Sequence, residues 1–213
     1  MHKPGILLTG KISGDWYIQT LEGIKTRQPS FDYEVLQVDF EPINALLPSK
    51  MEAAVLLLEP YFAEMENRKQ PYILANITLH EAVHFFSFVP EYFISIEDIL
   101  QNEIKSMIGT VAILGTIYTM NHSYFSSLLP NTSIINLPEK IQDEVDDLRK
   151  EYYLASNKIL AESMFNALNH LNIDQYIIAC TELAVALQDS KAALNTIHIP
   201  NLQCNYLLEI SGH

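Results

Sequence analysis

Short apolar segments recur along this chain, each followed by a stretch with helical spacing, and that alternation constrains the fold most. The strand segments are GILLTG from Gly5, EVLQVDF from Glu34, YILANI from Tyr72 and YFISI from Tyr92, then TVAILGT from Thr110, SIINLP from Ser133, YIIAC from Tyr176 and TIHIPN from Thr196. Several lack polar alternation, as strands covered on both faces of a parallel sheet do. Between them, amphipathic spacing predicts helices over 15–24, 50–67, 79–88, 96–105, 119–129, 139–153 and 157–171. Pro60 is expected to kink or break the second. Strands alternating with helices predict βαβ units and doubly wound, mainly parallel sheets flanked by helices. Eight strands are many for one small sheet, so two α/β lobes are expected.

With 213 residues, 48% of them hydrophobic, the chain can bury a sizeable core, and with only 18% charged it does not read as disordered. A net charge of −13 argues against nucleic acid or an anionic membrane surface as partner. A small anionic substrate stays compatible, because a site can be locally positive. Two cysteines, Cys180 and Cys204, are too few for a disulfide framework and point to a reducing interior. The apolar run at 107–120 contains Gly and Thr and is too short to span a bilayer. No signal peptide is legible, so a soluble cytoplasmic protein is expected.

In open α/β sheets, ligands bind beyond the carboxyl ends of the strands. Small, hydroxylic and thiol residues collect there: Thr9-Gly10-Lys11, Asn76-Ile77-Thr78, Gly115-Thr116 and Cys180-Thr181-Glu182. In IIACTEL (177–183) a cysteine stands where a strand gives way to a helix, whose positive end favours a thiolate. An inert buried thiol is the competing reading. Glu182 would raise the thiol pKa or relay a proton, or be a solvated acid in a first helical turn. In VAILGTIYTM (111–120), Thr116 and Thr119 offer hydroxyls to a carboxylate. The plainer reading is a turn with Thr119 as N-cap. Lys11 is the only cation beside a predicted strand end, and a surface lysine is its ordinary explanation. The acidic run Asp143, Glu144, Asp146, Asp147 reads as a solvated helix face. ANIT near Asn76 and ACTE near Cys180 form a faint internal echo.

IIACTEL resembles the second cysteine motif of the aspartate/glutamate racemase superfamily, and VAILGTIYTM resembles its Leu-Gly-Thr-x-x-Thr-Met segment. GILLTGK at Gly5 is similar to the opening strand and loop, and SIINLPEKIQDEV at Ser133 to the strand and Pro-led helix that follow. The resemblance implies two pseudo-symmetric lobes with the site in a cleft between them. It implies proton transfer at the α-carbon of an acidic amino acid or small carboxylate, without a cofactor or metal. Cys180 then acts as general acid/base, and Thr78, Thr116, Thr119 and Thr181 border the substrate. Gly10, Lys11, His80 and Glu182 take supporting places, and a homodimer is implied. The segment ILANITLHEAV resembles the first cysteine motif, but alignment on Thr78 and His80 puts Asn76 at the cysteine position. An amide neither accepts nor releases a proton usefully near pH 7. One-sided protonation, as in the related arylmalonate decarboxylases, and a lapsed enzyme that only binds are therefore alternatives. The domain reading is 1–95 plus 196–213 for the first lobe and 96–195 for the second. Cys204 matches neither motif and reads as structural.

One rival motif stands apart. His80-Glu81-Ala82-Val83-His84 is a formal HExxH, and Glu103 lies at the spacing of a third zinc ligand. A zinc hydrolase is thus the third function class, though it leaves Cys180 and the Gly-Thr loop unexplained. The remaining histidines (His2, His122, His170, His198 and His213) form no usable spacing.

Overall fold

The computed structural model describes residues 3–103, 109–121, 123–129, 132–154, 158–190 and 192–211. The chain forms two compact units, one from Met1–Ile99 with Asn201–His213 and one from Leu100–Pro200.

The first unit holds a parallel sheet of β1 (Gly5–Leu8), β2 (Glu34–Gln37) and β3 (Tyr72–Leu74), in the order β2-β1-β3. Its first helices are α1 (Lys11–Arg27), α2 (Phe40–Asn44) and α3 (Met51–Arg68). One apolar cluster joins Leu7 of β1, Leu58, Phe62 and Met65 of α3, and Tyr72 and Leu74 of β3. Helix α3 runs unbroken through Pro60, against expectation. Pro60 and Leu56 are both exposed, so the Leu56 carbonyl that loses its partner lies on the wet face. YFISI is not a strand. It makes a single parallel bridge, Phe93 to Tyr72, because Ser95 and Asp98 close a reciprocal capping box that starts α4 (Ile96–Glu103). The predicted helix over 79–88 is instead a 3-10 helix, Thr78–Phe85.

The second unit holds β4 (Thr110–Leu114), α5 (Ile117–Asn121), α6 (Tyr124–Leu128), β5 (Ser133–Ile134), α7 (Glu139–Leu154) and α8 (Lys158–Asn169). It continues with β6 (Gln175–Ile178), α9 (Thr181–Asp189) and β7 (Thr196–His198). All four strands are parallel, in the order β5-β4-β6-β7. The helix predicted over 119–129 is divided into α5 and α6. Strand β7 belongs to this sheet, so the chain returns to the first unit only at α10 (Ile199–Ser211), with Pro200 in its first turn. The core of this unit packs Val145, Leu148 and Tyr152 of α7 and Phe165 of α8 against Tyr176, Ile178, Cys180 and Leu183.

The two sheets share a plan. In each, the first strand is central and the chain crosses to one side and then the other, so a switch of direction falls between β1 and β3 and between β4 and β6. Crevices for ligands open at such points. Among the described residues no helix is long and apolar enough to cross a membrane.

Candidate active site

The echo between ANIT and ACTE has a structural basis. Ala75 N–H donates to the Leu7 carbonyl at 2.9 Å, and Ala179 N–H donates to the Leu114 carbonyl at 2.8 Å. Asn76 and Cys180 are therefore the next residues after equivalent hydrogen bonds, each beside the end of its unit's central strand.

In the second unit, Cys180 leaves β6 with extended backbone and is the N-cap residue of α9. Its side chain is buried, and its thiol donates to Glu182 Oε2 at 2.8 Å. Burial pushes the thiol pKa well up, and the Glu182 charge and hydrogen bond push the same way. Arg149 of α7 and the Leu183 amide oppose them. Cys180 thus rests as a thiol, whereas the helix dipole alone led the sequence toward a thiolate. Glu182 is itself buried rather than a solvated acid. Thr181 is buried in the first turn of α9.

The Gly-Thr loop lies against this corner. A methyl on Gly115 would meet Thr119 at 3.2 Å and the Ala179 side chain at 3.6 Å, so the ends of β4 and β6 touch. Thr119 N–H donates to Thr116 Oγ1 at 3.0 Å, and the two hydroxyls are 2.9 Å apart. Thr116, not Thr119, is the cap of α5. The Thr116–Thr119 loop and the Cys180-Thr181-Glu182 segment therefore follow neighbouring strand ends of one unit.

The pattern missed Arg149 and Asp146. The acidic run 143–147 reads as a solvated face, yet Asp146 is only 5% exposed. Arg149 Nε donates to Asp146 Oδ1 at 2.8 Å, and Lys150 Nζ pairs with Oδ2 at 2.8 Å. Burial opposes the Asp146 charge, but these two cations hold its carboxyl below the usual range. The signal was present as Asp-x-x-Arg-Lys, whose spacing puts both cations within reach of one carboxylate on a helix.

In the first unit, Asn76 Oδ1 accepts from the Leu79 amide at 3.0 Å, which turns the chain into the 3-10 helix. Thr9 Oγ1 donates to the Ala75 carbonyl at 2.9 Å and ties the end of β1 to this turn. Thr78 is half-buried beside it. Gly10 has φ +64° and opens α1, and Lys11 is exposed. Gly10 and Lys11 line a depression of about 490 Å³ with Leu8, Ile18, Gln37 and Phe40. None of Asn76, Thr78 and His80 lines it, so it is not the crevice between β1 and β3.

His80 is buried and bonded at both nitrogens. Nδ1 accepts from the Ile96 amide at 3.2 Å, which makes Nε2–H the donor to the Leu74 carbonyl at 3.1 Å. Gln203 Nε2 donates to the same carbonyl at 3.0 Å, and Gln203 Oε1 accepts from Tyr17. Burial pushes the His80 pKa down to about 4. The zinc reading assumed an α-helix with both imidazoles on one face. In a 3-10 helix, positions four apart point roughly 120° away from each other. His84 is exposed and faces Glu97 at 3.3 Å, and the Glu103 side chain lies outside the described residues. Among the described residues no three His, Cys, Asp or Glu side chains form a metal-binding group.

No family model and no curated protein matches the chain. Solved structures do. An aspartate racemase from Picrophilus torridus superposes with a TM-score of 0.80 at 18% identity, over 98% of this chain and 93% of the other. An Asp/Glu racemase candidate from Yersinia pestis gives 0.78 at 17% identity over 100% of both chains. Glutamate racemase from Francisella tularensis, solved with D-glutamate, gives 0.58 at 14% identity over 98% of this chain and 80% of the other. The chain has the fold of these racemases.

Proposed function

We propose that this protein is a cofactor-independent enzyme that moves a proton at the carbon next to the carboxylate of an acidic amino acid or related small acid. Cys180 is the general acid/base. The observation that carries this reading is the Cys180–Glu182 contact of 2.8 Å beside the Thr116–Thr119 pair. A thiol next to a second proton acceptor, at a helix start rich in hydroxyls, suits acid/base work at a carboxylate-bearing carbon. The fold shared with racemases, one of them solved with D-glutamate, supports the substrate class.

Cys180 rests as a thiol that donates to Glu182. Glu182 takes the thiol proton and the thiolate removes the α-proton; the thiol so formed then protonates the carbanion on the same face, after its proton has exchanged with solvent through Glu182. Thr116, Thr119 and Thr181 hold the substrate carboxylate, with Thr78 proposed as a further contact. Asn76 stands at the equivalent place in the first unit and has no proton to exchange near neutral pH. Proton transfer is therefore one-sided. Incubation with L- and D-aspartate and glutamate in D2O tests the reading. Proton NMR should show loss of an α-proton signal with little inversion by chiral chromatography. No exchange on any of the four removes acidic amino acids as substrates.

A second reading is a protein that binds such acids without turnover, and the same Asn76 motivates it. Substrate-dependent stabilisation without exchange would favour it.

A further inference from the structure

The Leu74 carbonyl stands where β3 runs out of strand partners. Successive residues of a strand aim their backbone groups at opposite neighbours. Ala75 N–H reaches β1, through the Leu7 carbonyl, so Tyr72 and Leu74 face the outer edge of the sheet. Tyr72 meets backbone there: its N–H donates to the Tyr92 carbonyl at 3.1 Å, and its carbonyl accepts from the Ile94 amide at 2.8 Å. Ser95 then begins the cap of α4, and the chain turns away instead of continuing beside Leu74. Leu74 is fully buried, so its carbonyl needs other donors, and two side chains supply them. His80 Nε2–H donates at 3.1 Å and Gln203 Nε2 at 3.0 Å, which occupies both lone pairs of the oxygen.

The two donors act differently. His80 lies six residues on, in the 3-10 helix that the turn itself starts. Its bond, like that of Asn76 Oδ1 with the Leu79 amide, ties the turn to its own continuation. Gln203 comes from α10, 129 residues away in sequence. It is fully buried, and its Oε1 accepts from the buried Tyr17 hydroxyl of α1. Thr9 Oγ1 holds the next carbonyl, that of Ala75, at 2.9 Å. The two carbonyls before Asn76 are thus both held from outside the turn, Leu74 by Gln203 and Ala75 by Thr9.

We propose that Gln203 is a positioning residue for the turn 75–78: through the Leu74 carbonyl it fixes where Asn76 and Thr78 present their side chains. This rests on the proposed function, in which Thr78 contacts the substrate and Asn76 takes the place equivalent to Cys180. An amide is suited to the task, because one end donates to Leu74 while the other accepts from Tyr17. A displacement of about 1 Å at a group that holds substrate can cost roughly 100-fold in rate, so a small shift of this turn reaches the reaction.

The test compares Gln203→Met with Leu207→Ala, which thins the same helix at a fully buried side chain outside this hydrogen-bond network. Amide hydrogen exchange is followed by NMR at a temperature well below both melting points. Gln203→Met should lose protection at the Leu79 amide by roughly tenfold, and Leu207→Ala should keep it. The KM for α-proton exchange on aspartate or glutamate should rise by roughly tenfold in Gln203→Met at unchanged kcat, and stay at the native value in Leu207→Ala. Native protection at Leu79 in Gln203→Met, or an equal loss in both variants, overturns the inference. If Gln203→Met does not fold, Gln203→Asn, whose shorter side chain cannot span Tyr17 and Leu74, carries the same test with the same outcomes. Because protection at Leu79 needs no substrate, its selective loss in Gln203→Met with no α-proton exchange on any acid would sustain Gln203 as the residue that sets the turn and sink the proposed activity instead.

Discussion

The Cys180 thiol donates to Glu182 Oε2 at 2.8 Å, two residues further along the chain and within the first turn of the helix that Cys180 begins. Burial and the Glu182 charge both keep the proton on sulfur. Replacing Glu182 by Gln removes the charge and leaves the burial. The thiol pKa of Glu182→Gln should fall, so the thiolate fraction at a given pH rises. Faster alkylation of Cys180 in this variant is the expected result, together with slower proton exchange on substrate. Slower alkylation would mean that Glu182 does not face the thiol in solution.

His80 makes a pH prediction of the opposite kind. Burial lowers its folded pKa to about 4 from 6.5, so between these values the unfolded chain binds a proton that the folded chain does not. Stability is complete above the unfolded pKa and falls as pH drops through this window, by on the order of 3 kcal/mol from this group. His80→Gln should be less stable at neutral pH and flatter between pH 6.5 and 4, as urea melts at several pH values would show. An equally steep loss in the variant would place the acid sensitivity elsewhere.

Thr116 caps α5 through the Thr119 amide. Thr116→Ala should cost about 1 kcal/mol of stability, and Thr116→Ser should recover most of it. The same pair of variants separates stability from substrate contact. If Thr116 also holds a carboxylate, the alanine variant raises KM by more than its stability loss explains, and the serine variant restores it.

Asn76 and Cys180 follow equivalent hydrogen bonds in the two units. Asn76→Cys places a second thiol at the equivalent position, and exchange with inversion should appear or increase. The variant also loses the amide oxygen that accepts from Leu79. Asn76→Asp, which keeps that acceptor, should therefore be the more stable of the two in thermal melts. Exchange without any gain in inversion would remove Asn76 from the position of the first base.

The alternation of apolar and amphipathic segments was enough to read the parallel sheets, because buried strands leave a pattern that composition cannot hide. Seven of the eight strand segments are strands, and YFISI failed where Ser95 and Asp98 began a helix too soon. Helix α10 was not read, since TIHIPN looked like a strand leading into a tail and Pro200 hid a helix start. The 3-10 geometry at Thr78–Phe85 was also invisible, and that is why His80 and His84 looked like a metal pair. At the site, Cys180, Thr116 and Thr119 were legible because they follow strand ends. Asp146 and Arg149 were not, because an acidic run on a helix reads as solvated until the packing of α7 is known. For Cys180 the sequence leaves two readings open, a thiolate favoured by the helix start and a buried thiol with its pKa raised by Glu182, and the structure gives the second. A helix start favours a thiolate, but burial beside Glu182 outweighs it, and burial is not written in the local sequence.

The central claim is that Cys180 moves the proton. The most direct measurement compares the native protein with Cys180→Ala in D2O, following the α-proton of aspartate and glutamate by NMR. The account predicts exchange in the native protein and none above background in the variant, with the fold unchanged by circular dichroism. Exchange that persists at the native rate in Cys180→Ala would contradict it.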